Sequence, residues 1–455
     1  MNNLTACQTI ANWVSGLNIE NVPTTVYEAG MQSWVDVIGC MLGGSKIKAV
    51  ERLYDLTKVQ HGSGKCSIVG TDIHTSAIGA ALANGAAAHA LDFDDTSYAG
   101  VVHASATVAA AVIAAAEHAN ADGTTTFTAF VAGLEAEYAY GQAASNQLFM
   151  EGWWTTSVFG GLGAAAGAAR ALGLNASQTA LAIAHALCRV SGLRVANGTD
   201  AKFIGNGQAA SLGVTSALFG AADISSPLDA LEGPNGMASL IKRGSLNLKP
   251  FEMLGNSWSL IDPGVYLKPY PACSASHAAA EATTQLLTEH DLGPDNILKI
   301  EVEAPKIVID SLVYADPNRI PQGQFSLQFI LACIILDRNF GVSRIGAEAL
   351  KDPAIRQLMP KITLRHDPKL TKKSQAGKIG PECARVRLTT NLGENFEIFN
   401  SEAIGAPNKP MSNQQINSKF LDLAAFAGYA SRSDALLMRI RQIHTLKSCR
   451  DLWLN

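Results

Sequence analysis

Three stretches of the chain are made almost wholly of alanine, glycine and other small residues: Ser76–Leu91, Ala104–Ala116 and Gly160–Leu174. Side chains of this size let helix backbones approach closely, so that each helix hides most of its circumference against neighbours. The pattern commits the chain to a large, closely packed helical body, whose helix–helix faces can continue into a subunit contact. Composition agrees, since 47% of the residues are hydrophobic and only 16% charged. Gly163 and Gly167 lie four apart in GGLGAAAG, which superficially has the glycines of a dinucleotide fingerprint. No hydrophobic strand precedes it and no acidic partner follows at the right distance, so we read it as helix packing. The longest apolar run, Ala104–Ala116, ends at Glu117 and is shorter than the roughly 20 residues a membrane-spanning helix needs.

Helical spacing recurs through the first part of the chain. Ala6, Ile10, Trp13, Val14 and Leu17 repeat at helical intervals. Thr25 and Glu28 form a capping-box pair opening a second helix that buries Trp34, Val35, Ile38, Met41 and Leu42 and ends at Gly43–Gly44. Further helices are predicted over Val108–His118, Phe127–Gln142, Thr179–Arg189 (capped by Asn175 and Gln178) and Gln208–Ala222. After about Pro263 the character changes. Leu298, Ile300 and Val302 alternate with Lys299, Glu301 and Glu303 as a half-buried strand, and Phe325–Leu336 is an apolar helix. Alternating residues on either side of Asn391–Leu392–Gly393 predict a hairpin, and Asn413–Leu454 returns to helical spacing. At 455 residues the chain exceeds what one core usually supports. The predicted fold class is mainly α: a large all-helical domain from residues 1–265 plus 401–455, and a smaller α+β domain over 266–400.

Several function classes are set aside by charge and cysteine usage. A net charge of −4 with no basic run argues against a nucleic-acid partner. The eight cysteines are scattered and never form CxxC, which fits neither a zinc site nor a disulfide framework and predicts buried thiols in a reducing compartment. MNNLTACQTI has no basic n-region, so neither a secretory nor a transit signal is expected and the predicted location is cytoplasmic.

Polar residues concentrate in four places against apolar or glycine-rich surroundings: His89–Ser105, Gly152–Ser157, Asn197–Gln208 and Leu267–His277. In the first, Asp92, Asp94 and Asp95 fall within four residues, and in a helix Asp92 and Asp95 would share a face. Carboxylates that close beside apolar neighbours cannot all ionise cheaply, so one is expected to be paired, hydrogen-bonded or proton-carrying. Thr96 and His103 follow in a loop-like interval containing Gly100. The plain alternative makes Asp95 or Thr96 a helix cap and leaves the others solvated. Lys202 is expected in a glycine-punctuated loop ahead of a helix and Lys268 in a proline-restricted loop. Both are suited to presenting ammonium groups to substrate carboxylates, or else are solvated surface lysines. Cys273 and His277 lie one helical turn apart and can face one cleft if a helix starts there. Otherwise Cys273 is a small packed residue, and a single histidine such as His277 or His103 makes a structural hydrogen bond. Leu267–His277 lies at the predicted domain junction, where clefts form.

These residues also carry a family resemblance. LDFDDT at 91–96 resembles the signature of the MmgE/PrpD family, which includes 2-methylcitrate dehydratase, cis-aconitate decarboxylase and iminodisuccinate epimerase. DVIGCMLGG at 36–44, GTDAKFIGNGQAASLG at 198–213, LKPYPACSASH at 267–277 and FSLQF at 325–329 are similar to further family segments, so the likeness spans nearly the whole chain. The resemblance implies a helical large domain, a lid-like α+β small domain, a homodimer, and no metal or organic cofactor. It also implies a cleft lined by Asp92, Thr96, His103, Lys202, Lys268, Cys273 and His277. Two positions depart from the family pattern: Trp154 and Gly205 stand where many relatives have histidines. Tryptophan cannot titrate and is donor-only, so Trp154 reshapes the substrate pocket rather than moving protons.

The family's reactions share a carbanion or enediolate beside a carboxylate. The resemblance thus implies that Lys202 and Lys268 bind substrate carboxylates and that His103 is base or acid at carbon, held or charged by Asp92. His277, or Cys273, would serve the opposite face. The leading expectation is a 2-methylcitrate dehydratase-like lyase acting on a small di- or tricarboxylate. Alternatives are a cis-aconitate-type decarboxylase, an epimerase, or an inactive carboxylate-binding homologue, and residue types alone do not choose among them.

Overall fold

The computed structural model describes residues 4–242 and 246–453. Helices α1 (Ala6–Gly16), α2 (Thr24–Gly44), α3 (Lys48–His61), α4 (Ala77–Ala90), α5 (Ala104–Ala119), α6 (Gly123–Ala144), α7 (Thr155–Ala171), α8 (Ala176–Leu187) and α9 (Ala201–Ala221) build the helical body. α9 packs on α4 and α7, and α7 packs also on α5 and α6. Every residue of α5 from Ala104 to Glu117 is buried, the all-round covering that an alanine helix calls for. Gly163 shows why the small residues are needed. A Cβ there would stand 2.6 Å from the Glu137 Cβ and 2.8 Å from the Gly133 carbonyl oxygen, so GGLGAAAG is a mid-helix crossing point.

Two local expectations fail for physical reasons. The capping box predicted at Asn175 forms, but the one predicted at Thr25 and Glu28 does not. α2 starts at Thr24 directly after Pro23, so Thr25 already lies within the first turn. α9 begins at Ala201 rather than near Gln208, which puts Lys202 on its first turn instead of in a loop. The glycines that suggested a loop are packing positions: a Cβ on Gly207 would lie 2.3 Å from the Leu82 carbonyl oxygen of α4.

Toward the C-terminus the chain forms a four-stranded sheet from β1 (Ile297–Ala304), β2 (Ile362–His366), β3 (Ala384–Thr390) and β4 (Asn395–Asn400), in the order β2-β1-β3-β4. β1 runs parallel to β2, and the other two pairings are antiparallel. α10 (His277–Glu289) packs on β3 and β4, and α11 (Leu327–Asp337) on β2 and α10. Ile300 and Val302 are buried as the alternation predicts, but Leu298 is 53% exposed. The register slips between Ile297 and Lys299, and that irregularity turns Leu298 to the other face. α12 (Asn413–Phe426) then packs back on α2, and α13 (Ser433–Arg441) follows. Residues 1–3, 243–245 and 454–455, which the predicted domain ranges and the Asn413–Leu454 helical stretch also take in, lie outside the described residues.

The apolar side chains gather mainly into two cores, one through the helical body and one between the sheet, α10 and α11. Leu91 and Phe93, in the acidic segment after α4, belong to the second core. That segment therefore lies at the boundary between the two. No helix among the described residues is long and apolar enough to cross a membrane. All eight cysteines are free, and all are buried except the exposed Cys188 and the half-buried Cys273.

Candidate active site

The acidic segment is not helical. After α4 ends at Ala90, Asp92 takes a φ of 48°, a left-handed value uncommon outside glycine, and Thr96 pairs with Tyr266 as an isolated bridge. The three aspartates consequently reach three different sets of partners. Asp92 Oδ1 accepts from Lys202 Nζ at 2.6 Å and lies 3.3 Å from Lys268 Nζ, which also donates to the Asp92 carbonyl oxygen at 2.8 Å. Asp94 accepts from His89 Nδ1 at 2.8 Å. The Asp95 carboxyl accepts from the Ser105 hydroxyl, and its carbonyl oxygen accepts from His103 Nδ1 at 2.7 Å.

Those partners set two protonation states among the three. Burial pushes the Asp92 carboxyl up, but Lys202 and Lys268 together outweigh it and hold it well below the ordinary range. Burial likewise pushes Asp94 up, and His89 and His103 bring it well below. Asp95 has no cation beside it, so burial raises it to about 7 despite the Ser105 bond. The proton-carrying acid expected of this cluster is Asp95, the aspartate set back from the lysines.

The histidines and lysines follow from the same geometry. Burial pushes His89 down, and with Nδ1–H donated to Asp94 its Nε2 accepts from Lys202 Nζ at 2.7 Å. His103 is pushed well below its ordinary value, first by burial and then by Lys268. Its Nδ1–H is committed to the Asp95 carbonyl, which leaves the Nε2 lone pair open. Burial lowers Lys202 despite Asp92, whereas for Lys268 burial is overcome by Asp92 and Asp94, which raise it. An ammonium has three donors. Lys202 uses its donors on Asp92 and His89 and Lys268 uses its own on Asp92 alone, so each keeps one to offer.

Several of these groups line a narrow cleft between the two cores. Asp92, Thr96, His103, Trp154, Lys202, Lys268 and Cys273 all reach it, joined by Ile307, Phe325 and Glu382 from the C-terminal part. Trp154 lies 5.7 Å from the His103 ring and 5.9 Å from the His89 ring, with Lys202 Nζ 4.8 Å above it. The Thr96 hydroxyl donates to the Val102 carbonyl at 3.2 Å, tying down the loop that carries His103. Burial raises Cys273 to about 12, which keeps it a thiol. Gly205 does not reach this cleft; it lines a separate open groove with Ser157 and the other side of Trp154.

Two expectations are revised. His277 does not line the cleft: it is fully buried, with Nε2 donating to the Ala272 carbonyl at 3.2 Å and Nδ1 accepting from the Tyr266 hydroxyl at 3.4 Å. It begins α10 after the short turn Ser274–Ser276, so it does not face the cleft with Cys273, and burial lowers it to about 3. Nor does Asp92 hold His103. The Asp95 carbonyl does so, with the Asp94 carboxylate 3.6 Å away.

Sequence reasoning missed three contributors. His89 links Asp94 to Lys202, and its place one helical turn before the acidic cluster was the available signal. Lys419 of α12 donates to the Phe93 and Lys268 carbonyls at 2.6 and 3.0 Å and pairs with Asp36 at 2.6 Å, clamping both site segments from the far end of the chain. Glu382, just before β3, lies in no motif. His89, Asp92, Asp94 and His103 offer ligand atoms within 4.8 Å of one another, a set that by composition alone suits a metal. Here Lys202 already engages Asp92 and His89 as the central cation, and Asp94 is taken up by the other nitrogen of His89.

Paired buried lysines beside a neutral imidazole have the means to hold an organic anion and move a proton on it. Comparison with known sequences then places the chain. The MmgE/PrpD N-terminal domain matches residues 8–248 and the MmgE/PrpD C-terminal domain residues 270–441. The chain belongs to the MmgE/PrpD family. It is 24% identical to a cis-aconitate decarboxylase of Aspergillus terreus (strain NIH 2624 / FGSC A1156), over 93% of this chain and 90% of that protein. It is 23% identical to the Homo sapiens cis-aconitate decarboxylase, over 97% and 92%. The cis-aconitate decarboxylase-like protein oryM of Aspergillus oryzae (strain ATCC 42149 / RIB 40) is 26% identical over 91% and 90%.

Proposed function

We propose that this chain is a cofactor-independent lyase that removes CO2 from a small di- or tricarboxylic acid. The observation that carries the reading is the convergence of Lys202 and Lys268 on Asp92 beside the open nitrogen of His103. Each lysine offers its remaining donor to a substrate carboxylate, and the pair stabilises the enediolate that forms when charge moves onto it. His103 offers its open Nε2 to the bound acid and helps position it. Asp92 fixes the lysines, and Trp154 and Phe325 wall off water. Dehydration of a 2-methylcitrate-like acid uses the same groups, but the relatives named as cis-aconitate decarboxylases favour CO2 as the group lost.

The test is proton NMR of the purified protein in deuterated water with cis-aconitate, citrate, methylcitrate and iminodisuccinate in turn. The expected result is CO2 release with deuterium entering the product from an unsaturated acid of this set. Water loss without CO2 would restore the dehydratase reading, and no change in any of the four would overturn the lyase reading.

A further inference from the structure

One titratable group of the cleft has no part in the reading above. Glu382, just before β3, lines the same cleft as the lysines. Its Oε1 accepts from the Ser274 hydroxyl at 2.9 Å. Its Oε2 is buried without a well-aligned hydrogen bond among the described residues, while the Tyr98 hydroxyl interacts with the carboxyl. A buried carboxylate oxygen without a donor is costly, whereas a carboxyl O–H in the same place is a donor awaiting an acceptor. We propose that Glu382 is the general acid of the reaction, delivering its proton from Oε2 to the substrate carbon as CO2 departs. The proposal rests on the carboxy-lyase reading.

The chemistry requires such a group. In a β,γ-unsaturated acid the C–C bond to the departing carboxylate breaks, and its electron pair forms a new double bond to the neighbouring carbon. The old double-bond pair moves to the carbon beside a second carboxylate, as an enediolate held by the lysines, and that carbon takes one proton. The Glu382 carboxylate so formed regains a proton from water, giving a net consumption of one proton per CO2. His103 cannot open this step as an acid, because its only N–H is bound to the Asp95 carbonyl and Nε2 begins as a lone pair. The lysine ammoniums are engaged by Asp92 and kept for holding negative charge, and burial pushes the Cys273 thiol and the Tyr98 phenol up.

The surroundings of Glu382 agree. Burial raises the carboxyl, Tyr98, Ser274 and Lys268 draw it down, Asp92 pushes it up again, and the balance lies above the ordinary value. Tyr266 and Cys273 are the other ionisable groups facing it, and both remain neutral. Environment thereby gives one cleft both a neutral imidazole and a carboxyl that holds its proton.

The experiment compares full-length wild type, Glu382→Gln and Glu382→Asp with cis-aconitate as the probe, or with whichever acid of the NMR set releases CO2. Glu382→Gln is expected to lower kcat at least about a hundredfold while KM moves by less than about threefold, and Glu382→Asp to recover part of the loss. Wild-type kcat should fall as pH rises through the titration of Glu382, and that limb should vanish in the Gln variant. Binding of tricarballylate, an unreactive tricarboxylate, and the circular dichroism spectrum report whether each variant is folded; if Gln does not fold, the Asp variant and the pH limb decide. A Glu382→Gln enzyme within about threefold of wild-type kcat, or with the same pH limb, overturns the proposal and leaves the lyase reading intact. A wild type that releases no CO2 from any acid of the set overturns both.

Discussion

On the wall built by α4, its following loop and α9, with Lys268 reaching in from the 267–277 segment, each charge has its counterpart. Asp92 is shared by two lysines, and Asp94 is matched by His89, which in turn receives Lys202. The C-terminal part of the lining is put together differently: among the described residues Cys273, Ser274 and Glu382 carry no ion pair with one another, and the Glu382 carboxyl is met by the hydroxyls of Ser274 and Tyr98. The first wall spends its polar groups on holding two ammoniums in place, so its positions are over-determined. The second keeps protons on groups that are free to give them up. Preorganised charge and transferable protons are thereby kept apart.

The largest expected effect breaks the first wall. Asp92→Ala leaves two buried ammoniums without their carboxylate and is expected to cost about 3–5 kcal/mol of stability in urea unfolding. Glu382→Ala, which removes contacts with neutral hydroxyls, should cost only about 1 kcal/mol by the same measurement. Equal losses would show that the two walls are not built differently. Next, His103→Ala and Lys202→Ala should each lower turnover at least about a hundredfold with the fold retained. Near-normal turnover in either would remove that residue from the chemistry.

A smaller effect concerns Asp95, the neutral carboxyl behind the first wall. Its folded pKa of about 7 lies above the ordinary 3.8. Its contribution to stability is therefore full below about pH 4 and is lost as pH rises through about 7. Asp95→Asn fixes the uncharged form, so the variant should gain on wild type in unfolding free energy as pH climbs across that window. A constant difference from pH 4 to 8 would place the proton elsewhere. Least affected should be Cys273→Ser, whose parent thiol stays protonated, with turnover within about threefold of wild type.

Much of the helical body was legible because its signals are local. Alanine runs mark α4, α5 and α7, and Trp34, Ile38 and Met41 mark the buried face of α2. Within the site, the acidic cluster and the two lysines stood out by their surroundings. What was not legible depends on distant contacts. The start of α9 was misplaced because Gly205 and Gly207 read as loop, when Gly207 is glycine to admit the backbone of α4. Leu298 follows the strand alternation and still faces out, because the register shift is made with β3, far along the chain. Lys419 looks like any helix lysine until α12 packs on α2 and its ammonium meets Phe93 and Lys268. His277 had the right spacing from Cys273, but the turn at Ser274–Ser276 rotates it into the core.

The central claim is that Lys202 and Lys268 grip the carboxylates of a bound acid, and calorimetric titration with tricarballylate addresses it without needing turnover. Lys202→Met and Lys268→Met, each shown to be folded by circular dichroism, should bind this acid at least about tenfold more weakly than wild type, the scale of one lost charge-assisted hydrogen bond. Wild-type affinity in both variants would contradict it.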